Sequence, residues 1–129
     1  MSLTEKNKQL VLDYYDKVVF PGNVELIDDY IADGYIQHSP FVATGREAVA
    51  SLIRDVVHAG DVEKPFGEVV RVIAEDDLVV LHIRSFSWPD PNGNIIVDMF
   101  RVEEGKIVEH WDVVQAIPAE PSINGNAMF

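Results

Sequence analysis

The stretch VDMFRVEEGKIVEHWDVVQ, Val97 to Gln115, decides how this chain folds. On either side of Glu104-Gly105, runs rich in Val, Ile and Phe alternate with polar residues, the pattern of two strands joined by a tight turn. Closing the hairpin symmetrically about Gly105 sets Val102 opposite Val108, Phe100 opposite His110 and Asp98 opposite Asp112. Side chains alternate along a strand, so these six share one face and Trp111 takes the other. A register one residue different would bring Trp111 to that face instead. An unsatisfied polar group buried there costs about 1–3 kcal/mol, so two acids and an imidazole on an apolar face call for a reason. Desolvation and a neighbouring carboxylate both raise a carboxyl pKa, which makes such an acid a proton shuttle near neutral pH. The alternative is that Asp98 and Asp112 cap turns or pair with Arg71, Arg84 or Arg101.

Upstream of this hairpin, GEVVRVIAE and DLVVLHIRSFSW have the same β-rich character. Glu75-Asp76-Asp77 and the Pro89–Asn94 segment, with its Asn92-Gly93, are the intervening turn signals, so four strands form an antiparallel meander. The first half has helical period. Thr4 is a candidate N-cap for a helix from about Glu5 to Phe20, whose apolar face holds Leu10, Val11, Tyr14, Tyr15, Val18 and Val19 before Pro21-Gly22 breaks it. Asn23 can cap a second, shorter helix with Val24, Leu26, Ile27 and Ile31 inward, ending near Gly34. YIQHSPF, Tyr35 to Phe41, reads as a short extended segment. TGRE, Thr44 to Glu47, is a capping box for a third helix carrying Val49, Leu52, Ile53, Val56 and Val57 and ending near Gly60. The tail IPAEPSINGNAMF is irregular. The expected architecture is α+β: three N-terminal helices packed on one face of a strongly curved antiparallel sheet, in a single domain over residues 1–129.

A chain of 129 residues with a formal net charge of −12 repels phosphate backbones and anionic headgroups, which excludes nucleic acid and membrane surfaces as expected partners. No run approaches the roughly 20 apolar residues of a membrane span, and MSLTEKNKQL lacks a signal peptide's basic and apolar regions. Without cysteine there are no disulfides or thiolate nucleophiles, which fits a cytoplasmic protein. Chemistry must come from Asp, Glu, His, Tyr and Arg. His38, before Ser39-Pro40, stands where a helix–sheet cavity would open. His82 is mid-strand, and His58 lies near a helix C-terminus where it would answer the dipole. His38, His110 and Asp112 could converge on a metal, but no ligand spacing supports one, and neither a metal nor a cofactor is expected. No nucleophile elbow or phosphate loop is present.

GREAV opening the third helix, YIQHSP, the closing hairpin and the NGNAMF tail together resemble the nuclear-transport-factor-2-like (NTF2-like, cystatin-like) superfamily, and most of all its SnoaL-like polyketide cyclase branch. The resemblance covers nearly the whole chain. It implies a cone-shaped sheet wrapped on the first helix with a deep apolar pocket between. In those cyclases an aspartate on the last strand is the acid/base, which Asp112 matches; where they carry a histidine on the preceding strand, this chain has Asp98. Tyr14 and Asp98 look like the tyrosine and protonated aspartate of the ketosteroid isomerase oxyanion hole, and that isomerase's base falls at His38.

The expected activity is therefore a cofactor-independent cyclase or lyase of aldol type on a small apolar carbonyl compound. Asp112 would take the proton α to the carbonyl. Asp98, with Tyr14 or His110, would stabilise the enolate oxygen, and His38 would orient substrate or act as a second acid/base. Tyr14, Trp111, Trp88, Phe100 and Gln115 are the expected substrate-binding residues. The rival readings are a ketosteroid-isomerase-like isomerase with His38 as base, and a non-catalytic ligand-binding or dimerisation module. Strands apolar on both faces (Val79, Leu81 and Ile83 against Leu78 and Val80) suggest a homodimer through the outer sheet face.

Overall fold

A computed structural model of the chain describes residues 1–59 and 65–129; the expected helix end at Gly60 lies outside them. The first helix, α1 (Leu3–Tyr14), begins earlier than its sequence suggests. Ser2 is the N-cap, its hydroxyl accepting the Glu5 N–H at 3.1 Å. Thr4, the expected cap, instead donates to the Asp76 carbonyl at 3.3 Å and ties the helix to a strand turn. The helix then widens into a π-helical turn over Tyr15–Val19. Tyr14, Tyr15, Val18 and Val19 are all buried, so the consecutive tyrosines both face inward. Gly22, at φ +79°, and Asn23 both donate to the Val18 carbonyl and end the helix.

The expected second helix is only a 3-10 segment, Val24–Asp29, and Asn23 makes no side-chain cap bond to it. The chain leaves it early because the last strand captures it: the Ile107 N–H donates to the Tyr30 carbonyl at 2.7 Å. Ile31, expected on that helix, opens β1 (Ile31–Gln37). The capping box does not form either. Gly45, at φ +102°, caps α2 (Arg46–Ser51) without a side-chain bond. The Thr44 hydroxyl is engaged with β1, accepting the Gln37 N–H at 3.0 Å and donating to the Tyr35 carbonyl at 3.1 Å. A π-helical turn, Leu52–Val57, extends α2. Val49, Ile53 and Val57 are buried, but Val56 is 48% exposed. The three expected helices are thus two α-helices with π-helical extensions and one 3-10 segment.

Four further strands follow: β2 (Gly67–Glu75), β3 (Leu78–Ser85), β4 (Asn94–Glu103) and β5 (Lys106–Ala116). The sheet has five strands in the order β1-β5-β4-β3-β2. The β2–β5 meander is antiparallel as expected, but β1 runs parallel to β5, so the sheet is mixed. At the decisive hairpin, Glu104 and Gly105 both take positive φ (50° and 75°) between the paired Glu103 and Lys106, a two-residue turn matched to strand twist. That turn sets Val102 against Ile107, not Val108. Val108 is then the extra residue of a bulge, and beyond it Phe100 pairs with His110 and Asp98 with Asp112 as expected.

Val11 and Val18 from α1 and its extension meet Ile31, Val79, Leu81, Ile83, Phe100 and Ile107 from the sheet in the main core. Among the described residues no helix is long and apolar enough to cross a membrane.

Candidate functional site

Between the helices and the inner sheet face lies a cavity of about 600 Å³. Alternation along β4 and β5 points Ile96, Asp98, Phe100, His110, Asp112 and Val114 into it. Val49, Leu52, Ile53, Val57, Phe66, Ile83 and Trp88 make most of the remaining wall apolar. Most of its polar groups gather where β1, β4 and β5 meet the end of α1; Asp90 and Asn94 line it at the β3–β4 connection.

Asp98 is the centre of that group and is 5% exposed. The Tyr15 hydroxyl donates to its Oδ2, and His110 Nε2 lies 2.7 Å from its Oδ1. The far side of the imidazole, Nδ1, is 2.6 Å from Gln37 Oε1. Gln37 in turn accepts the Ser39 N–H at 3.0 Å and donates from Nε2 to the Tyr35 hydroxyl at 3.3 Å. Phe100 packs against the imidazole, ring centroids 4.8 Å apart, and edge-on against Tyr14 and Tyr15. Among the described residues neither aspartate meets an arginine: Arg101 bonds Glu109 and Glu103, Arg84 pairs with Glu68, and Arg71 contacts His82.

Asp112 sits across the ladder from Asp98 and is only half-buried. Burial raises its pKa first and the Asp98 charge raises it further, while His110 and the Ser39 hydroxyl pull the other way; the net direction is upward. Burial, reinforced by the Asp98 charge, also pushes the Tyr14 and Tyr15 phenols up, and Tyr35 is raised chiefly by burial. All three stay protonated and act as donors at neutral pH. Tyr14 lines the cavity, and its hydroxyl makes no hydrogen bond among the described residues.

Asp98, His110, Asp112, Tyr14, Trp88 and Phe100 all line this cavity, so the structure brings together these expected site residues. It separates three others. His38, whose side chain is 41% exposed, bonds Glu109 at 2.7 Å and stacks on Trp111 at 4.9 Å; both lie on the outer face because alternation along β1 and β5 turns them from the cavity. Gln115, exposed on the same outer side of β5, is also outside the cavity wall. His38 therefore faces away from this cavity. His58 answers the end of the first helical stretch rather than of its own: its Nε2 donates to the carbonyl of Val19, the last residue of that stretch, at 2.8 Å and joins the ends of the two helical stretches. Sequence reading missed Tyr15 as the partner of Asp98, and missed Tyr35, Gln37 and Ser39 altogether. The signal for those three was alternation in YIQHS, which puts Tyr35, Gln37 and Ser39 on one face and Ile36 and His38 on the other.

Asp98, His110 and Asp112 each offer a ligand atom, all within 4.8 Å of one another. A metal would sit about 2.0–2.1 Å from an imidazole nitrogen. In this arrangement His110 Nε2 is hydrogen-bonded to Asp98 Oδ1 and its Nδ1 to Gln37 Oε1.

A mixed five-stranded sheet with helices over one face, and a cavity between them closed by an acid–imidazole cluster, defines an α+β ligand-pocket fold of the NTF2-like kind. The SnoaL-like domain family model matches residues 11–110, and the chain belongs to that family. The matched span contains Tyr14, Tyr15, Gln37, Asp98 and His110 and ends two residues before Asp112. TsrD from Streptomyces laurentii superposes with a TM-score of 0.69 at 20% identity, over 88% of this chain and 91% of that one. A Kribbella flavida protein provisionally described as a ketosteroid isomerase gives 0.73 at 17% identity, over 92% and 84%. A Jannaschia protein provisionally described as a SnoaL-like polyketide cyclase gives 0.67 at 20% identity, over 88% and 89%. At these identities the likeness establishes the fold. No curated protein sequence matches the chain.

Proposed function

We propose that this chain is a cofactor-independent acid/base enzyme, a cyclase or lyase of aldol type, acting on a small apolar carbonyl compound held in the cavity. One observation carries the reading: of the two facing carboxyls, Asp98 is locked by Tyr15 and His110, while Asp112 faces the cavity with its pKa raised. Asp112 is then the base that removes a proton α to the carbonyl. With both Asp98 oxygens engaged, the donor to the enolate oxygen is the Tyr14 hydroxyl, and Asp98 and His110 set the local charge. The apolar wall keeps water from the carbanion.

The test needs no natural substrate. A panel of apolar ketones and β-keto esters is incubated in D2O, and α-proton exchange is followed by NMR. Exchange catalysed by wild type and abolished in Asp112→Asn supports the reading; equal exchange by both refutes it. Ligand binding with no exchange across the panel favours a non-catalytic binding module, which the complete internal pairing of Asp98 and His110 also fits.

The same reading includes a homodimer through the outer sheet face. Strand register aligns Ile73, Val80, Met99 and Trp111 in one row across β2, β3, β4 and β5; the next row, Arg71, His82, Val97 and Val113, is apolar only on β4 and β5.

A further inference from the structure

The hydrogen-bond pattern around His110 contains one donor whose identity is beyond choice. The Ser39 backbone N–H points at Gln37 Oε1 at 3.0 Å, so that atom is the amide oxygen; the flipped amide would set donor against donor. The amide nitrogen then donates to the Tyr35 hydroxyl. Because Gln37 Oε1 is an acceptor only, the His110 nitrogen 2.6 Å away must carry a hydrogen. The remaining nitrogen, Nε2, faces Asp98 Oδ1 at 2.7 Å, and Tyr15 supplies the hydrogen to Oδ2. One further proton therefore lies between Nε2 and Oδ1, as imidazolium with carboxylate or as imidazole with carboxylic acid. In either form the pair has no net charge.

We infer that Gln37 is a positioning residue for this site: by accepting from Nδ1 it fixes the His110 tautomer, which obliges Asp98 and His110 to hold a proton between them, so that the pair facing Asp112 carries no net charge. Without that acceptor, a neutral His110 could place its single hydrogen on Nε2 and donate to an ionised Asp98. The pair would then carry a negative charge directly across the ladder from Asp112. The titratable groups facing the imidazole are few: Asp98 from β4, Asp112 from β5, Tyr14 and Tyr15 from the end of α1, and Tyr35 from β1. Gln37 is suited to the task because β1 runs parallel to β5 and pairs Gln37 with His110 in register. Its amide is itself held at both ends, by the Ser39 N–H and the Tyr35 hydroxyl, so it cannot swing away without losing both contacts.

The consequence for Asp112 as a base rests on the proposed function, but the tautomer does not, and it can be measured without turnover. Wild type labelled with 15N-histidine is examined by long-range 1H–15N correlation near neutral pH, beside Gln37→Leu and Gln37→Glu. The expected result is a protonated Nδ1 on His110 in wild type, a bare Nδ1 and protonated Nε2 in Gln37→Leu, and a protonated Nδ1 restored in Gln37→Glu, which keeps an oxygen acceptor. In Gln37→Leu the Asp112 carboxyl, followed by 13C titration, moves to higher pH. A bare Nδ1 in wild type, or an Nδ1–H that persists in Gln37→Leu, overturns the inference. Should Gln37→Leu fail to fold, Gln37→Met, which keeps the length of the side chain but offers no oxygen acceptor, takes its place with the same expected and overturning results. A merely structural role for Gln37 would lower Tm and leave the tautomer where it is.

Discussion

Asp98 and Asp112 are direct cross-strand partners on one face of the β4–β5 hairpin, yet their surroundings are unequal. Asp98 is buried and accepts from Tyr15 with His110 against its other oxygen, whereas Asp112 is half-buried beside the open cavity. Two identical side chains a strand apart thus sit in unequal surroundings: hydrogen-bonding partners close both oxygens of Asp98, while burial and the Asp98 charge raise the pKa of Asp112.

This asymmetry gives Asp112→Asn a double effect. General acid–base catalysis is worth roughly 10²–10⁴-fold, so turnover should fall by about that much while ligand binding persists. Stability should move the opposite way. A carboxyl whose folded-state pKa is raised binds its proton more tightly in the fold, so its ionisation costs stability as pH rises through the window between the unfolded and folded values. The asparagine carries no such cost. Thermal melts should show the variant above wild type near neutral pH, the gap closing as pH falls through the carboxylate range. A variant less stable than wild type at neutral pH would contradict the upward shift.

The two consecutive tyrosines should separate cleanly. Tyr15→Phe removes a donor from a buried carboxyl, a loss of about 1.5–3 kcal/mol measurable by denaturant unfolding. Tyr14→Phe removes a hydroxyl that bonds nothing among the described residues, so stability should stay within about 1 kcal/mol. Its effect should fall on carbonyl ligands instead, seen as weaker binding or slower exchange. Equal destabilisation by both substitutions would mean that Tyr14 also supports the buried pair.

Much of this was legible in the sequence, for reasons that differ by element. The hairpin VDMFRVEEGKIVEHWDVVQ fixes Asp98, Phe100, His110 and Asp112 on one face because side-chain alternation is a local property. The pairings near the turn were misread, since Glu104-Gly105 forms a two-residue turn; the bulge at Val108 then restores the symmetric register, which local sequence does not announce. The helix starts failed for a tertiary reason. Thr4 and Thr44 are sound cap residues by composition, but each hydroxyl found a partner distant in sequence or on a neighbouring strand. β1 is displaced in the sequence reading, to Tyr35–Phe41 where the strand is Ile31–Gln37, because its pairing partner β5 is remote in sequence. Gln37 lies in both spans; without the parallel pairing to β5, nothing local says that Gln37 faces the cavity and His38 does not.

Phe100 tests how far the site depends on the core beneath it. It is 2% exposed and packs against Tyr14, Tyr15 and His110 at once. Phe100→Ala should cost about 3–5 kcal/mol by loss of transfer energy plus a residual cavity. Against a typical domain stability of about 5–15 kcal/mol this leaves a marginal fold. Phe100→Leu, losing less volume, should fold well enough to show whether His110 keeps its hydrogen bonds. A chemical-denaturation midpoint for Phe100→Ala equal to wild type would show that the ring is not the packing centre described.

The outer face carries the last prediction. Val113 and Ile73 are each 63% exposed, on the side of the sheet opposite the cavity, and the row from Ile73 to Trp111 crosses four strands without a charged residue. On the proposed reading this apolar row is where two copies of the chain would meet. Light scattering of wild type should therefore give twice the 14.5 kDa chain mass. Val113→Glu places a negative charge beside the strip, in the row Val113 shares with Arg71, His82 and Val97, and self-pairing about a two-fold axis presents each change twice, so the variant should run as a monomer. Because Val113 points away from the cavity, ligand binding by the monomer should match wild type. A monomeric wild type, or a dimer indifferent to Val113→Glu, would remove the outer face as the interface.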